Sequence, residues 1–180
     1  MDKVKLVVPD SSREQQAQEY IRELRETATP INGAGGLDRY ENYFEWLGKL
    51  ADDLHADVDA DRVPSHTFFA VRETDGYLVG MTNIRHCLNE FLFREGGHIG
   101  YGVRPTEHRK GYATQMLRQT LAFCHDLGLE RVLVTCDKHN IASAKTILRC
   151  GGVLENEITD GTIADVIQRY WIDTDHMPRQ

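Results

Sequence analysis

Between Gly97 and Cys136 the chain alternates strand, basic loop, helix and strand, and that order limits the fold more than any other feature of the sequence. His98 to Val103 is β-rich and is stopped by Pro105, which cannot donate to a ladder. Gly111 to Leu127 carries Ala113, Leu117, Leu121 and Cys124 at helical spacing, with Met116 and Leu127 beside the stripe and Gly128 where a helix C-cap belongs. Arg131 to Cys136 is a continuous apolar run of the kind expected in a buried strand. Strand, helix and strand in that order imply a crossover, so an α/β sheet with a parallel section in its middle is expected.

The flanking segments extend this plan. Val4 to Val8 reads as a strand, and a turn at Pro9-Asp10-Ser11-Ser12 leads into a charged helix from Ser11 to Thr27. Thr29 to Gly36 holds Pro30, Gly33, Gly35 and Gly36 and reads as a flexible loop. Leu37 to about His55 is expected as a second helix, with Tyr40, Tyr43, Phe44, Leu47, Leu50 and Leu54 on one face and Trp46 nearby. His66 to Arg72 and Tyr77 to Arg85 read as a hairpin turning at Thr74-Asp75-Gly76, followed by an irregular stretch from Cys87 to Gly97. Ile141 to Arg149 is helical and ends at Gly151-Gly152; Val153 to Ile158 and Ile163 to Ile172 form a last hairpin turning at Asp160-Gly161. No repeat or linker divides the 180 residues, so residues 1–180 are expected to form a single domain.

A net charge of −7 argues against general nucleic-acid binding, which needs a basic footprint. A local basic patch does exist at Arg104, His108, Arg109 and Lys110. No apolar run nears the roughly 20 residues that span a bilayer, and Met1-Asp2-Lys3-Val4 lacks the core of a signal peptide, so the cytoplasm is expected and no membrane partner. Cys87, Cys124, Cys136 and Cys150 form no C-x-x-C pair and read as free thiols. The run Asp52, Asp53, Asp57, Asp59, Asp61 reads as a solvated face; it lacks the glycine and glutamate of a calcium loop, and no metal is expected.

The chemistry sits where the basic loop enters the long helix. Free N–H groups at a helix start, with the positive end of its dipole, bind phosphate oxygens. Gly111 lets a ligand approach the backbone, Ala113 is nearly as small, and Arg109 and Lys110 add charge, which together suit a diphosphate. A P-loop would need G-x-x-x-x-G-K-[S/T], which is absent. A dinucleotide turn fails because Pro105 stands where the third glycine after Gly100 and Gly102 belongs.

His108-Arg109-Lys110-Gly111-Tyr112-Ala113 resembles the pyrophosphate motif [Q/R]-x-x-G-x-[G/A] of the GNAT superfamily of N-acetyltransferases. Asp137-Lys138-His139-Asn140-Ile141-Ala142-Ser143, about 30 residues on, resembles the family's second cofactor segment, and Gly97-His98-Ile99-Gly100-Tyr101 is similar to a signature of bacterial members. The resemblance covers Phe68 to Val153 and implies a mixed, mostly antiparallel sheet with a central, splayed parallel strand pair, flanked by helices. It implies acetyl-CoA as cosubstrate, gripped by His108, Arg109, Lys110, Gly111, Tyr112, Ala113 and Thr114, by the backbone of Tyr101 and Val103, and by Asn140 and Ser143. Its acceptor would be an amine, on a small molecule or a peptide, attacking the thioester directly; a homodimer is compatible with it. The N–H of Val103 would serve as oxyanion donor. For the general base, His98 comes first, its ordinary pKa near 6.5 suiting the task, and Glu95 second, ahead of Glu90 and Tyr101. His108 stands where the motif has glutamine or arginine, and Ile147 stands where many members place a tyrosine that protonates the departing thiolate. That second departure keeps a non-catalytic acyl-CoA sensor in view beside the enzyme; a cysteine-based thioester hydrolase is a third reading.

Overall fold

A computed structural model describes residues 2–59, 61–159 and 166–175. Its elements run β1 (Val4–Val7), α1 (Glu14–Glu26), α2 (Tyr43–Asp53), β2 (Ser65–Arg72), β3 (Leu78–Arg85), β4 (Ile99–Val103), α3 (Tyr112–Asp126), β5 (Arg131–Asp137), α4 (Ile141–Arg149), β6 (Val153–Thr159) and β7 (Val166–Asp173). A short π-helical turn, Leu92–Gly96, fills the stretch expected to be irregular. The turn at Asp160-Gly161 and the strand start at Ile163 lie outside the described residues.

The strands form two sheets, in the orders β1-β2-β3-β4 and β5-β7-β6. Every ladder is antiparallel. The parallel section expected in the middle is therefore no ladder at all: β4 and β5, linked through α3, lie in separate sheets. They are fastened at one point. The His98 N–H donates to the Leu133 carbonyl at 2.7 Å, and the Leu133 N–H donates to His98 Nδ1 at 2.9 Å. Gly97 permits this approach, since a Cβ there would sit 2.6 Å from the Leu133 carbonyl oxygen, at a φ of +64°.

Helices cover both faces of the first sheet. α1 and α2 bury Ala17, Tyr20, Ile21, Leu24, Tyr43 and Trp46 against Phe69, Val71 and Met81. On the other face Leu117, Leu121 and Cys124 of α3 and Ile147 of α4 pack with Phe68, Ile84, Val132 and Val134. Gln115 and Gln119 of α3 reach over to the backbone of Val4 and Leu6, occupying polar groups of the edge strand β1. Helix α2 begins six residues later than expected. Leu37–Arg39 is a separate 3₁₀ turn, and Asn42 caps α2 by accepting from the Phe44 N–H at 2.9 Å. The shift turns the helix: Trp46 and Tyr43 face the core, while Phe44 is 55% exposed. The glycine loop is packed rather than loose, because a Cβ on Gly33 would lie 2.6 Å from the Gly100 carbonyl oxygen. Asp53 is no part of a solvated face; it is buried and pairs with Lys49 and Arg62.

The sheet junction should make stability depend on pH. Burial first, and the charge of Arg85 second, push the pKa of His98 down to about 4. Between pH 6.5 and 4 the unfolded chain therefore takes up a proton that the folded chain refuses. The contribution is complete above about pH 6.5 and lost as pH falls towards 4, on the order of 3 kcal/mol from this residue. His66 and His86 are also held below the ordinary value, mainly by burial, and steepen the same fall. Urea denaturation at pH 7 and pH 4.5 should show the loss, and His98→Asn should remove its share of the slope.

Candidate active site

The register of β3 with β4 decides which way the backbone of β4 points. The Arg85 N–H donates to the His98 carbonyl and the Arg104 N–H to the Val79 carbonyl, each at 2.8 Å. In an antiparallel pair such bonds alternate. Residues 100 and 102 thus face β3, and the N–H and C=O groups of Ile99, Tyr101 and Val103 face the gap towards β5. An extended ligand entering that gap meets the N–H groups of Tyr101 and Val103, while the Val103 carbonyl is already met by His108. The gap opens into a cleft of about 2570 Å³ that also takes in residues 29–36. Ordinary single-ligand pockets hold roughly 300–1,000 Å³, so the cleft has room for more than one small ligand.

At one end of the cleft lies the start of α3. Its N-cap is Gly111, at a φ of +81°, which offers no capping side chain, so the N–H groups of the first turn stay available to a ligand. Arg109 also adopts the left-handed region, at a φ of +62°, a strained geometry typical of ligand loops. Together these form a backbone cradle that fits a diphosphate. His108 Nε2 lies 2.9 Å from the Val103 carbonyl oxygen, so the ring ties the loop to the end of β4. Lys110 pairs with Glu107 at 3.0 Å, and Glu107 also takes Arg72 at 3.1 Å. Ala113 and Thr114 line the cleft. Two residues expected here play other parts. Tyr112 is 2% exposed and packs with Val4, Val79 and Met116, so only its backbone can meet a ligand. Arg104 is buried, bonded to Glu23 at 3.1 Å and to the Leu78 carbonyl, and lies over the ring of Tyr77; it fastens α1 to the sheet and is not part of the basic patch.

The far wall is α4. Asn140 caps it, its side chain accepting from the Ser143 N–H at 3.1 Å, and the residue lines the cleft. The Ser143 hydroxyl lies 2.9 Å from the Tyr101 hydroxyl. Burial pushes the Tyr101 pKa up to about 12, which keeps the phenol protonated. Ile147 is fully buried in the core and does not face the cleft.

The candidate bases separate. His98 is 7% exposed, its Nδ1 is engaged by the Leu133 N–H, and its ring stands edge-on to Trp171 at 6.3 Å. It does not line the cleft, and burial holds it neutral; the residue is a clamp between sheets. Glu95 does line the cleft, beside Arg94 at 3.2 Å. Glu90 is exposed at the start of the π-helical turn. Burial pushes the thiols of Cys124, Cys136 and Cys150 up, Cys124 to about 12, which makes them poor nucleophiles. No group of residues able to hold a metal ion occurs among the described residues, nor any helix long and apolar enough to cross a membrane. Sequence reasoning missed Asn83 and Arg85 of β3 and the Tyr101–Ser143 pair. Asn83, buried, bonds Ser65 and Thr67, and reads in sequence as one polar residue in a strand.

Residues 5–153 match the family model described as Acetyltransferase (GNAT) domain. No curated protein matches the chain in sequence closely enough to count as a relative. Among solved structures, the fold is similar to ribosomal-protein-S5-alanine acetyltransferase from Vibrio fischeri, with 18% identity, a TM-score of 0.73, and 99% of this chain and 97% of that one covered. It is similar to a variant of spermidine N-acetyltransferase from Vibrio cholerae, with 13% identity, a TM-score of 0.67, and 96% and 94% covered. It also resembles the microcin C7 self-immunity acetyltransferase, whose structure holds acetyl-CoA and AMP, with 16% identity, a TM-score of 0.69, and 96% and 93% covered.

The cradle at Gly111 can be tested directly. Gly111→Asp adds a charge that repels phosphate and a side chain at a left-handed position. It should weaken CoA binding by calorimetry at least about 10²-fold, two such penalties together exceeding 2.7 kcal/mol. Gly111→Ala carries the strain alone and should lose less. Unchanged affinity in the aspartate variant would place the diphosphate elsewhere.

Proposed function

The chain belongs to the GNAT acetyltransferase family and is an acyl-CoA-dependent N-acetyltransferase, and from that premise we propose that it acetylates a primary amine by direct attack, with both substrates bound at once between β4 and β5. The observation that carries the reading is the backbone of Tyr101 and Val103 turned away from β3 into the gap, which leads on to the start of α3, whose N-cap Gly111 has no capping side chain. Acetyl-CoA supplies the activated acyl group. Residues His108 to Thr114 hold its diphosphate, chiefly through the backbone of the first turn of α3. The N–H groups of Tyr101 and Val103 align its extended arm, and that of Val103 donates to the carbonyl oxygen. The amide of Asn140 and the hydroxyl of Ser143 face the same ligand from α4.

The proposal extends to the proton steps. Glu95, on the cleft wall, receives the proton of the acceptor ammonium, directly or through water. Tyr101 takes the part that Ile147 cannot. Its hydroxyl, placed by Ser143 and kept protonated by burial, donates to the departing sulfur. A thiolate leaves with a thiol pKa near 8.5, so the assistance it needs is modest. The acceptor is an amine on a small molecule or a peptide. The whole chain acts as one domain in the cytoplasm under this reading.

Incubating the protein with acetyl-CoA and a panel of primary amines, and following acetylated products by mass, tests the function. Tight CoA binding with no product from any amine would favour the sensor instead. Tyr101→Phe should lower kcat by about 10²-fold, the low end for a lost proton donor, with CoA affinity little changed. Ile147→Tyr should not restore the family's usual donor. Gly152 already crowds Ile147 so closely that a Cβ there would lie 2.4 Å from its Cγ2. The larger ring should lower stability by roughly 1–3 kcal/mol in thermal melts and leave kcat no higher.

A further inference from the structure

Arg85, at the end of β3, points to the sheet face on which the glycine loop lies. A Cβ on Gly100 would sit 3.3 Å from the Gly33 nitrogen and 3.6 Å from Arg85 Nη1, so the three meet at one spot. Nη1 donates to the carbonyls of Gly96 at 3.1 Å and Gly97 at 3.2 Å. Those carbonyls orient the guanidinium without neutralising it. Three other arginines with little exposure each hold an acid: Arg72 holds Glu107, Arg104 holds Glu23 and Arg169 holds Glu155. Arg85 pairs with no carboxylate among the described residues. Burial pushes its pKa down to about 10, which still leaves it charged at neutral pH. An enclosed, uncompensated charge is costly unless a partner arrives. Arg85 lines the cleft, as do Asn83 and Glu95.

We propose that Arg85 binds a carboxylate carried by the acceptor, and hence that the acceptor is a small amino acid-like molecule bearing both amine and carboxylate. The inference rests on the amine-acetyltransferase reading above. A guanidinium fork matches a carboxylate in geometry and charge. A phosphate dianion fits less well, because Glu95 shares the wall and the diphosphate cradle lies at the other end of the cleft.

The test compares matched acceptors that differ only in the carboxylate: phenylalanine against phenethylamine, and lysine against cadaverine. With acetyl-CoA the acid member should show a kcat/KM roughly 10- to 100-fold higher, the worth of a charged hydrogen-bonded pair. Arg85→Met should abolish that preference mainly through KM, with CoA affinity unchanged, and Arg85→Lys should keep part of it. Equal or better use of the decarboxylated amines by the wild type overturns the proposal, even if the methionine variant fails to fold. So does a methionine variant that keeps the preference, or one whose main defect is in CoA binding. If no acceptor of either kind reacts, the CoA-loaded protein is titrated calorimetrically with N-acetylphenylalanine and N-acetylphenethylamine. Binding of the first alone supports the carboxylate site; equal binding, or none, sinks it. Acetylation of cadaverine or phenethylamine as efficient as that of the matching acids would leave the amine-acetyltransferase reading standing while removing this one, whereas no acetylation of any amine would count against that reading itself.

Discussion

A single imidazole makes the hydrogen-bonded junction between the end of β4 and β5. In an ordinary ladder the Leu133 N–H would meet a backbone carbonyl; here it meets His98 Nδ1, while the His98 N–H returns to the Leu133 carbonyl. Only a neutral ring with that nitrogen unprotonated can accept the bond. Gly97 brings the chain close enough for it to form. With the strands fastened there and nowhere further along, the natural twist of each sheet carries β4 and β5 apart. The gap, its exposed amides and the cleft all follow from that one fastening.

Around the gap, charge is divided by task. Arg104 and Glu23 are spent on docking α1, and Glu107 draws in Arg72 and Lys110. That leaves the backbone of residues 109–113, with the strained Arg109, as the positive end of the cleft. The opposite region is built from packed glycines and a few polar groups of β3. Gly100 and Gly102 let the Gly33 loop rest directly on β4, with Asn32 and Tyr20 also close to Gly102. The loop thereby becomes a wall of the site rather than a flap over it.

Much of this was legible in the sequence, and the misses have definite causes. The strand–loop–helix–strand order from His98 to Cys136 stood out because Pro105, Gly111 and Gly128 punctuate it, and the elements appear within a residue or so of where they were expected. The apolar spacing, which Tyr40 continues, puts the start of α2 too early, because the chain obeys the cap at Asn42. His98 looked like a base because its residue type suits one; its burial and its partner on β5 come from a contact 35 residues away, which no local pattern carries. Tyr112 and Arg104 fell inside a basic motif by sequence, yet the turn of the helix and the docking of α1 send their side chains inward. That isoleucine at 147 cannot donate a proton is plain from the sequence, but the hydroxyl that meets α4 at Ser143, from Tyr101, belongs to a strand 46 residues earlier than Ile147.

Exposed strand edges are a standing hazard, since a row of unpaired amides invites any other extended chain to add on and begin an aggregate. This fold turns the inner edge of β4 towards a cleft instead of the rim of the molecule, while α3 glutamines occupy polar groups on the outer edge, β1. A neighbouring protein strand would have to push its side chains between two sheets joined at His98 to reach that inner row. A thin, flexible chain without side branches would not. The splay thus sets a limit on thickness, leaving those groups within reach of a slender chain while keeping other proteins away.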